Sequence, residues 1–347
     1  MAYTTIDKPS DYFNTVLYTG NGSNGHAITG VGFSPNWVWI KERNSTSSHS
    51  VSDTVRGTTK RLNTDLNAAE ETLSGVMQSF DSDGFTNGAD NGVNENAKTY
   101  ASWNWKAGGS ASSNSNGSIT SSVSANTTAG FSIVSYTGSS SNVTVGHGLG
   151  VTPKMIIFKN RNSATSWTVY HEILGNAKRL VLNNTGAEES TNQFSFGTSP
   201  TSSVFALGGG YGDVNTNGAT FIAYCFAEKK GYSKFGSYTG NGNADGTFVY
   251  TGMKPSFVMV KTTTDAGYNW VIYDNKRVGF NPDNDTLTAN ENRAEQTSGF
   301  GHIDMVSNGF KIRASTNDTN RNANVFIYMA FAENPFVTST GIPTTAR

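Results

Sequence analysis

Short hydrophobic runs alternate along the whole chain with turns rich in Gly, Asn, Ser and Thr, and one of these runs occurs three times. Each copy begins with a proline, continues with five mostly apolar residues and ends with a lysine. Each proline also lies seventeen residues after the tyrosine of a Tyr-Thr-Gly triplet. The three copies are Pro35–Lys41, Pro153–Lys159 and Pro255–Lys261. Recurrence at a fixed offset predicts one supersecondary unit repeated three times.

A second hydrophobic run closes each copy. These closing runs begin 82, 85 and 88 residues after the triplet tyrosine, at Tyr100, Phe221 and Phe326. Asn-Gly and Asp-Gly turns separate the strand-like runs, and no helical period is sustained. The pattern therefore predicts an all-β chain made of three tandem β-sandwich units, of jelly-roll or lectin-like type, related by internal repeat.

The repeat also predicts the domain boundaries. The three sandwich units are expected at residues 1–109, 130–230 and 231–336. Residues 110–129 have the Ser, Asn and Gly content of a linker, and residues 337–347 form a Thr-rich tail. Because the second and third units are joined by only a few residues, we expect them to pack closely while the first unit sits apart.

Landmarks between the two strands recur in two copies only. Gly57 precedes Lys60-Arg61-Leu62, and Gly175 stands at the same offset before Lys178-Arg179-Leu180. Glu70 and Glu188 then follow their leucines by eight residues. The third copy has Val278-Gly279-Phe280-Asn281-Pro282 in the corresponding place, which indicates a rebuilt loop.

The tryptophans of the first copy are candidates for a ligand platform, but the other copies argue for a core. Trp37 and Trp39 correspond to Met, Phe and Ile residues, and the residues between them are apolar as well. A strand that is apolar on both faces is buried on both faces. Trp103 and Trp105 pass the same comparison. The lysines that end the proline strands, Lys41, Lys159 and Lys261, are interpreted as solvated strand ends.

Trp167 and Trp270 are the candidate glycan-binding residues. They lie in strands that look half exposed, and flat aromatic rings bind the apolar faces of sugars. His49 stands near the matching place in the first copy. The alternative is that each tryptophan covers the edge of a sheet and has a purely structural role.

Asp81-Ser82-Asp83-Gly84 is similar to the start of a calcium loop, in which alternating carboxylates converge on one cation. The downstream glutamate is absent at the proper spacing, and the third copy has Ser307-Asn308-Gly309 in this place. Exchange of Asp-Gly for Asn-Gly is typical of a tight hairpin turn. The five histidines show no metal-ligand spacing. We therefore expect no metal and no cofactor.

The sequence singles out no catalytic residue. The lone Cys225 lies between two aromatic residues of a closing run and is interpreted as a small buried strand residue. Glu228 and Glu333 end equivalent strands, but the first copy has Ala107 there. No pair of carboxylates stands out as an acid and a base, and we predict that the protein is not an enzyme.

Charge and hydropathy narrow the partners further. A net charge of −1, with 15% charged residues, gives no basic field for nucleic acid. No stretch reaches the roughly 18 apolar residues that a membrane-spanning helix needs. The first eight residues contain neither a basic region nor an apolar run, so we also expect no signal peptide.

Several motifs of the first copy together resemble a known group of proteins. They are Tyr18-Thr19-Gly20, Gly32-Phe33-Ser34-Pro35, Trp37-Val38-Trp39-Ile40-Lys41, Asp53-Thr54-Val55-Arg56-Gly57, Ser79-Phe80-Asp81-Ser82-Asp83-Gly84-Phe85 and Trp103-Asn104-Trp105-Lys106-Ala107-Gly108-Gly109. Together these motifs resemble a group of structural proteins of tailed bacteriophages that is common in marine and cyanobacterial phages. The likeness covers the first copy closely and the others loosely.

The resemblance implies a non-enzymatic protein on the surface of a phage virion, assembled in the host cytoplasm. It is either a tail fibre that binds the host receptor or a capsid decoration protein or head fibre. Other virion proteins, and in the first case a host surface glycan, are then the expected partners. We also expect a homotrimer, since assembly covers edge strands and provides multivalency. A secreted carbohydrate-binding module is the alternative from a different class.

Overall fold

The computed structural model describes residues 3–194, 200–277, 281, 285–297 and 301–344. Regular structure in these residues is almost entirely extended strand, arranged in several sheets. The helical segments among them are a 3₁₀ turn at Pro9–Asp11 and two single-turn helices, α1 (Asn91–Asn94) and α2 (Asn317–Asn320). The prediction of an all-β chain is confirmed.

The strands fall into three successive groups along the chain. The first group is β1 (Phe13–Thr19), β2 (His26–Thr29), β3 (Trp37–Glu42), β4 (Ser50–Asp53), β5 (Lys60–Arg61), β6 (Glu71–Thr72), β7 (Met77–Asp81), β8 (Gly84–Asn87) and β9 (Thr99–Trp105). The second group is β10 (Ser112–Asn114), β11 (Ser121–Asn126), β12 (Phe131–Thr137), β13 (Val143–Gly146), β14 (Met155–Asn160), β15 (Thr168–His171), β16 (Lys178–Val181), β17 (Glu189–Ser190), β18 (Val204–Leu207) and β19 (Thr220–Phe226). The third group is β20 (Ser233–Thr239), β21 (Phe248–Tyr250), β22 (Met253–Thr262), β23 (Val271–Asp274), β24 (Leu287–Thr288), β25 (Ile303–Val306), β26 (Gly309–Ile312) and β27 (Val325–Pro335).

Three large sheets have a common strand order. The first sheet is β1-β9-β3-β4, and the third sheet is β20-β27-β22-β23-β24. The second sheet has eight strands, β10-β11-β12-β19-β14-β15-β16-β17. In each of them the closing run lies between the opening strand and the proline strand, antiparallel to both. The centre of each sheet is therefore completed by the last strand of its segment.

A separate hydrophobic cluster links each large sheet to a smaller one. The smaller sheets are β2-β8-β7, β13-β18 and β21-β26-β25. In the first of these clusters, Val38 and Ile40 of β3 are buried with Phe85 of β8. The corresponding residues of β14 and β22 are buried in the same way with residues of the other two small sheets. One face of every proline strand is thus covered locally.

The other faces of the three large sheets contribute to a single central cluster. Its members on the proline strands are Trp37 and Trp39, Met155 and Ile157, and Phe257 and Met259. Trp37 stacks on Tyr224 of the second sheet, with ring centroids 4.6 Å apart. Phe13 stacks on Phe331 of the third sheet at 5.1 Å. The predicted burial of the proline strands on both faces is confirmed, as is the burial of Cys225.

The expectation that the first unit sits apart is wrong, because its tryptophans are central to the shared cluster. Besides Tyr224, Trp37 contacts Phe131 and Phe226 of the second sheet, with ring centroids 5.7 and 5.8 Å apart. Chain connectivity misled the prediction, since a short connection between two units says nothing about how the third one packs.

The linker assignment for residues 110–129 is also wrong. β10 and β11 lie in this segment, and β11 pairs with β12 along six residue pairs from Ser121↔Tyr136 to Asn126↔Phe131. Within it, Val123 is buried while Ser122 is exposed. Ser and Asn are compatible with strands at the rim of a sheet, so composition alone did not distinguish a strand from a linker.

The third copy keeps the leucine and the glutamate of the landmark, although it lacks the Lys-Arg pair directly before the leucine. Leu287 pairs with Ile272 as Leu180 pairs with Val169, and it is likewise buried. Glu295 follows Leu287 by eight residues, the spacing of the other two copies. Compared with the other two copies, the third has four extra residues between Asp274 and Leu287, and these hid the match. Of the predicted rebuilt loop, Val278, Gly279, Phe280 and Pro282 lie outside the described residues.

The predicted tail lies against the start of the chain. Both the backbone N–H and the hydroxyl of Ser339 donate to the carboxylate of Asp7, at 2.6 and 2.5 Å. These bonds lower the pKa of Asp7. The two ends of the described chain are therefore tied to each other.

Candidate functional site

Trp167 and Trp270 are not at the surface. They are 0% and 1% exposed, and both belong to the central cluster. The indole of Trp167 donates to the carbonyl of Asn63 at 2.8 Å, and that of Trp270 donates to the carbonyl of Val181 at 2.9 Å. The glycan-stacking hypothesis is wrong for both residues, because no ring face is free to receive a sugar. The alternative structural role is what the contacts describe.

His49 makes the third contact of this kind. The indole N–H of Trp39 donates to its Nδ1 at 2.8 Å, so the proton of the neutral ring is on Nε2. That Nε2 donates to the carbonyl of Thr288 at 2.9 Å. Burial is the main reason that the pKa of His49 falls to about 3, which keeps the ring neutral.

The three contacts form a closed cycle. Trp167 comes from the second group of strands and bonds to the first, Trp270 comes from the third and bonds to the second, and His49 comes from the first and bonds to the third. Each acceptor is the backbone carbonyl of the residue that directly follows one of the leucines described above, Leu62, Leu180 and Leu287. We call these three bonds the ring-nitrogen ties.

Glutamates make a parallel set of contacts. Glu70 forms two bonds of 2.9 Å with the guanidinium of Arg161 in the second group. Glu295 bonds Arg43 of the first group at 2.9 and 2.7 Å. The backbone N–H of Glu188 donates to the carbonyl of Thr263 in the third group at 2.8 Å, while its side chain pairs with Lys178 of its own group. Among the described residues, two of the three boundaries therefore carry an ion pair, and neither pair was predicted from the sequence.

Two boundaries also carry buried aspartates. Asp53 bonds the guanidinium of Arg56 and accepts the hydroxyl of Tyr224 from the second group at 2.8 Å. Asp274 bonds Arg277 at 2.6 Å and accepts the indole N–H of Trp103 from the first group at 3.0 Å. The side chains of both ion pairs are 0% exposed. Such carboxylates act as structural acceptors that fix neighbouring sheets.

The interpretation of Lys41, Lys159 and Lys261 as solvated strand ends is wrong, because all three are 0% exposed. They follow Trp39, Ile157 and Met259 by two residues, so the pleat directs them to the same, central face of their sheets. Lys159 donates to the carbonyl of Thr165 in its own group at 2.6 Å and to that of Asn67 in the first group at 2.9 Å. Lys261 likewise donates to Tyr268 and Thr185. Each ammonium group holds the loop that follows its strand.

The buried lysines predict an alkaline gain in stability. Burial lowers the pKa of each to about 8, below the value near 10.5 of an exposed lysine. Between these values the unfolded chain binds more protons, so the free energy of unfolding rises with pH. Replacing Lys159 with Met should reduce the rise between pH 8 and pH 10 by about 2 kcal/mol in urea titrations. Lys178→Met is the control, since Lys178 is 44% exposed.

Cys225 has the opposite effect on the pH dependence of stability. Burial raises the pKa of its thiol, so its contribution to the free energy of unfolding falls as the pH rises. The comparison of Lys159→Met with Lys178→Met cancels that contribution, which both variants share. An equal rise in the two variants would contradict a lowered pKa for Lys159 in the folded protein.

Asp81 and Asp83 form a hairpin end and not a calcium loop. Asp81 pairs with Gly84 across β7 and β8, which confirms the turn interpretation. The carboxylate of Asp83 accepts the N–H groups of Gly30 and Gly32 at 3.1 and 2.6 Å, and these bonds lower its pKa. Asp81 accepts the hydroxyl of Thr86 at 2.7 Å. Within the described ranges, no group of three or more His, Cys, Asp or Glu side chains is placed to hold a metal ion.

A surface pocket of about 380 Å³ lies beside the second sheet. Its lining residues are Arg179, Ser190, Thr191, Asn192, Gln193 and Tyr211. The carboxylate of Asp213 stabilises the pocket wall, because it accepts hydrogen bonds from Arg179 at 2.6 Å and from Gln193 at 3.1 Å. Apart from Arg179 in the Lys-Arg-Leu landmark, no sequence motif indicated this pocket, because its described lining residues come from segments up to about thirty residues apart.

Comparisons with known proteins give one match. A family model described as a domain of unknown function (DUF7483) matches residues 8–335. No curated protein and no solved structure matches the chain. In the part of the chain that is described, no helix is long and apolar enough to cross a membrane.

Proposed function

The chain belongs to the DUF7483 family, and from its architecture we propose that it is a non-enzymatic, rigid structural protein of a tailed-phage virion surface. The family match spans almost the whole chain, so the proposal concerns the complete set of sheets. The resemblance of the first copy to tailed-phage structural proteins supports the location, and the internal architecture supports the mechanical role.

We further propose that the three groups of strands are β-sandwich units related by internal repeat. Equivalent strand pairs support this: Trp37 lies opposite Trp105, Met155 opposite Phe226, and Phe257 opposite Phe331. Each proline strand has one face in a local cluster and one in the central cluster. In this arrangement residues 110–129 belong to the second unit.

The closed cycle of ring-nitrogen ties carries the proposal. Each unit sends one side chain into the next, so no unit can move without breaking two buried bonds. The buried acidic residues Asp53 and Asp274 are used in the same way, as acceptors between units. These histidine and aspartate side chains, which are of types common in active sites, here stabilise the packing of one sheet against another. Such packing suits a protein that must resist mechanical load.

Labelling of intact virions would show where on the particle the protein lies. We expect gold-labelled antibody against the chain to bind intact, purified virions that carry it. Label spread over the head lattice would identify capsid decoration or a head fibre, and label confined to the tail would identify host attachment. Absence of label from particles whose genome encodes the chain would overturn the proposed location.

The homotrimer is part of the proposal and has its own measurement. Light scattering of the purified protein should give three times the mass of the 37.0 kDa chain. A monomeric mass would refute the trimer and leave the structural role in place, because the three internal units already provide a shared core within one chain.

A further inference from the structure

We propose that the pocket beside the second sheet binds a neutral saccharide. We call this the Tyr211 pocket, after the one aromatic residue among its described lining residues. The inference goes beyond the structural role proposed above, which would stand if the pocket bound nothing. Its volume of about 380 Å³ falls within the range of small-ligand sites and matches one or two sugar rings.

The frame of the pocket is common to two units. Arg179 bonds Glu189 at 3.0 Å and Asp213 at 2.6 Å. In the first unit Arg61 bonds Glu71 at 2.8 Å and Asp90 at 2.9 Å. The arginine with its two carboxylates is therefore a shared element of the scaffold. Features found only in the second unit must account for any binding.

Gln193 and Tyr211 are those features. Gln193 is only 4% exposed, and its amide nitrogen donates to Asp213 at 3.1 Å. Its carbonyl oxygen is buried and has no hydrogen-bond partner within the described chain. A buried acceptor without a donor destabilises the folded protein, and a hydroxyl group that donates to it would remove this cost. Polyols are rich in such donors.

Tyr211 supplies the flat surface. Its ring lies so close to Gly208 that a Cβ added there would come within 3.0 Å of a ring carbon. The backbone of Gly208 therefore packs against one edge of the ring and limits its movement, while the residue lines the pocket and remains half-buried. A supported tyrosine ring offers its face to the C–H groups of a pyranose and its hydroxyl to the sugar's oxygens.

The charges indicate a neutral ligand. The guanidinium of Arg179 is bonded to two carboxylates, those of Glu189 and Asp213, so its charge is already compensated. A sialic or uronic acid would bring a further negative charge to this group and would be repelled. Neutral hexoses and N-acetylhexosamines carry no such penalty.

The full-length protein should be tested on an array of neutral, sialylated and uronic oligosaccharides, followed by calorimetric titration with the best neutral sugar. We expect binding to neutral sugars and at least a tenfold loss of affinity in Tyr211→Ala. Tyr250→Ala is the matched control, since Tyr250 is 57% exposed on the third unit, and it should bind like the parent. Unchanged melting temperatures would establish that both variants are folded.

A second variant keeps the test valid if Tyr211→Ala does not fold. Ser190 is exposed on the pocket wall, and Ser190→Trp would fill the space without removing a buried contact. We expect it to abolish binding. Absence of neutral-sugar binding, binding to acidic sugars only, or full affinity in folded Tyr211→Ala or Ser190→Trp would each overturn the proposal. None of these outcomes would affect the virion-labelling result.

Discussion

Trp37→Ala is expected to lower the free energy of unfolding by about 4 kcal/mol, the upper range for deleting a large core side chain. Trp37 is 1% exposed and packs against Trp105 of its own sheet, with ring centroids 4.4 Å apart. It also packs against Tyr224 and Phe131 of the second sheet, at 4.6 and 5.7 Å. The cavity would therefore open between sheets, where neither can close it alone.

Urea denaturation followed by tryptophan fluorescence and by circular dichroism measures this effect. Both signals should shift together, because the loss is shared by sheets that unfold as one. Leu66→Ala serves as the control, since Leu66 is 43% exposed and its truncation should change stability by less than about 0.5 kcal/mol. A Trp37→Ala variant as stable as Leu66→Ala would contradict a shared core.

Asp53→Ala is expected to cost about 3 kcal/mol, the lower end of the range for breaking a buried ion pair, because the buried guanidinium of Arg56 would keep only its longer carboxylate contact, to Glu70 at 3.2 Å. Arg56 and Asp53 are both 0% exposed as side chains. The carboxylate also accepts the hydroxyl of Tyr224, so the variant would leave a second buried donor unpaired. The loss should therefore be felt in the second sheet as well as the first.

Two further variants isolate the cause. Asp245→Ala removes a carboxylate that is 79% exposed and pairs with Lys311, and it should change stability far less than Asp53→Ala does. The double variant Asp53→Ala/Arg56→Met should be more stable than Asp53→Ala, because the buried guanidinium that has lost its nearest carboxylate is gone. A double variant no more stable than Asp53→Ala would contradict the charge argument.

Much of the fold follows from the sequence, because its periodic signals are strong. Three copies of the proline strand and of the closing run predicted an all-β chain with buried strands at these places, as found. Comparing copies also identified Trp37 and Trp39 as core residues. A position that accepts Trp, Met and Phe in turn has to be apolar, and that inference needs no knowledge of neighbours.

Most of the misjudged residues have an environment that comes from another group of strands. Lys159 and Lys261 look like strand ends, but carbonyls of a neighbouring group accept from their ammonium groups, and Lys41 is buried against the loop that follows its own strand. Trp167 and Trp270 look half exposed within their own strands, but the adjacent unit covers them. Local pattern contains no information about such contacts. The eight-residue spacing from Leu287 to Glu295 was the one available signal that was overlooked.

Differential scanning calorimetry tests most directly whether the three groups of strands form one body. A single cooperative unit of 347 residues should unfold in one transition with a van't Hoff enthalpy of roughly 240 kcal/mol, equal to the calorimetric value. Three independent units would give separate or broadened transitions with van't Hoff enthalpies of roughly 80 kcal/mol each. The first result is predicted by the shared core and the ring-nitrogen ties, and the second would contradict them.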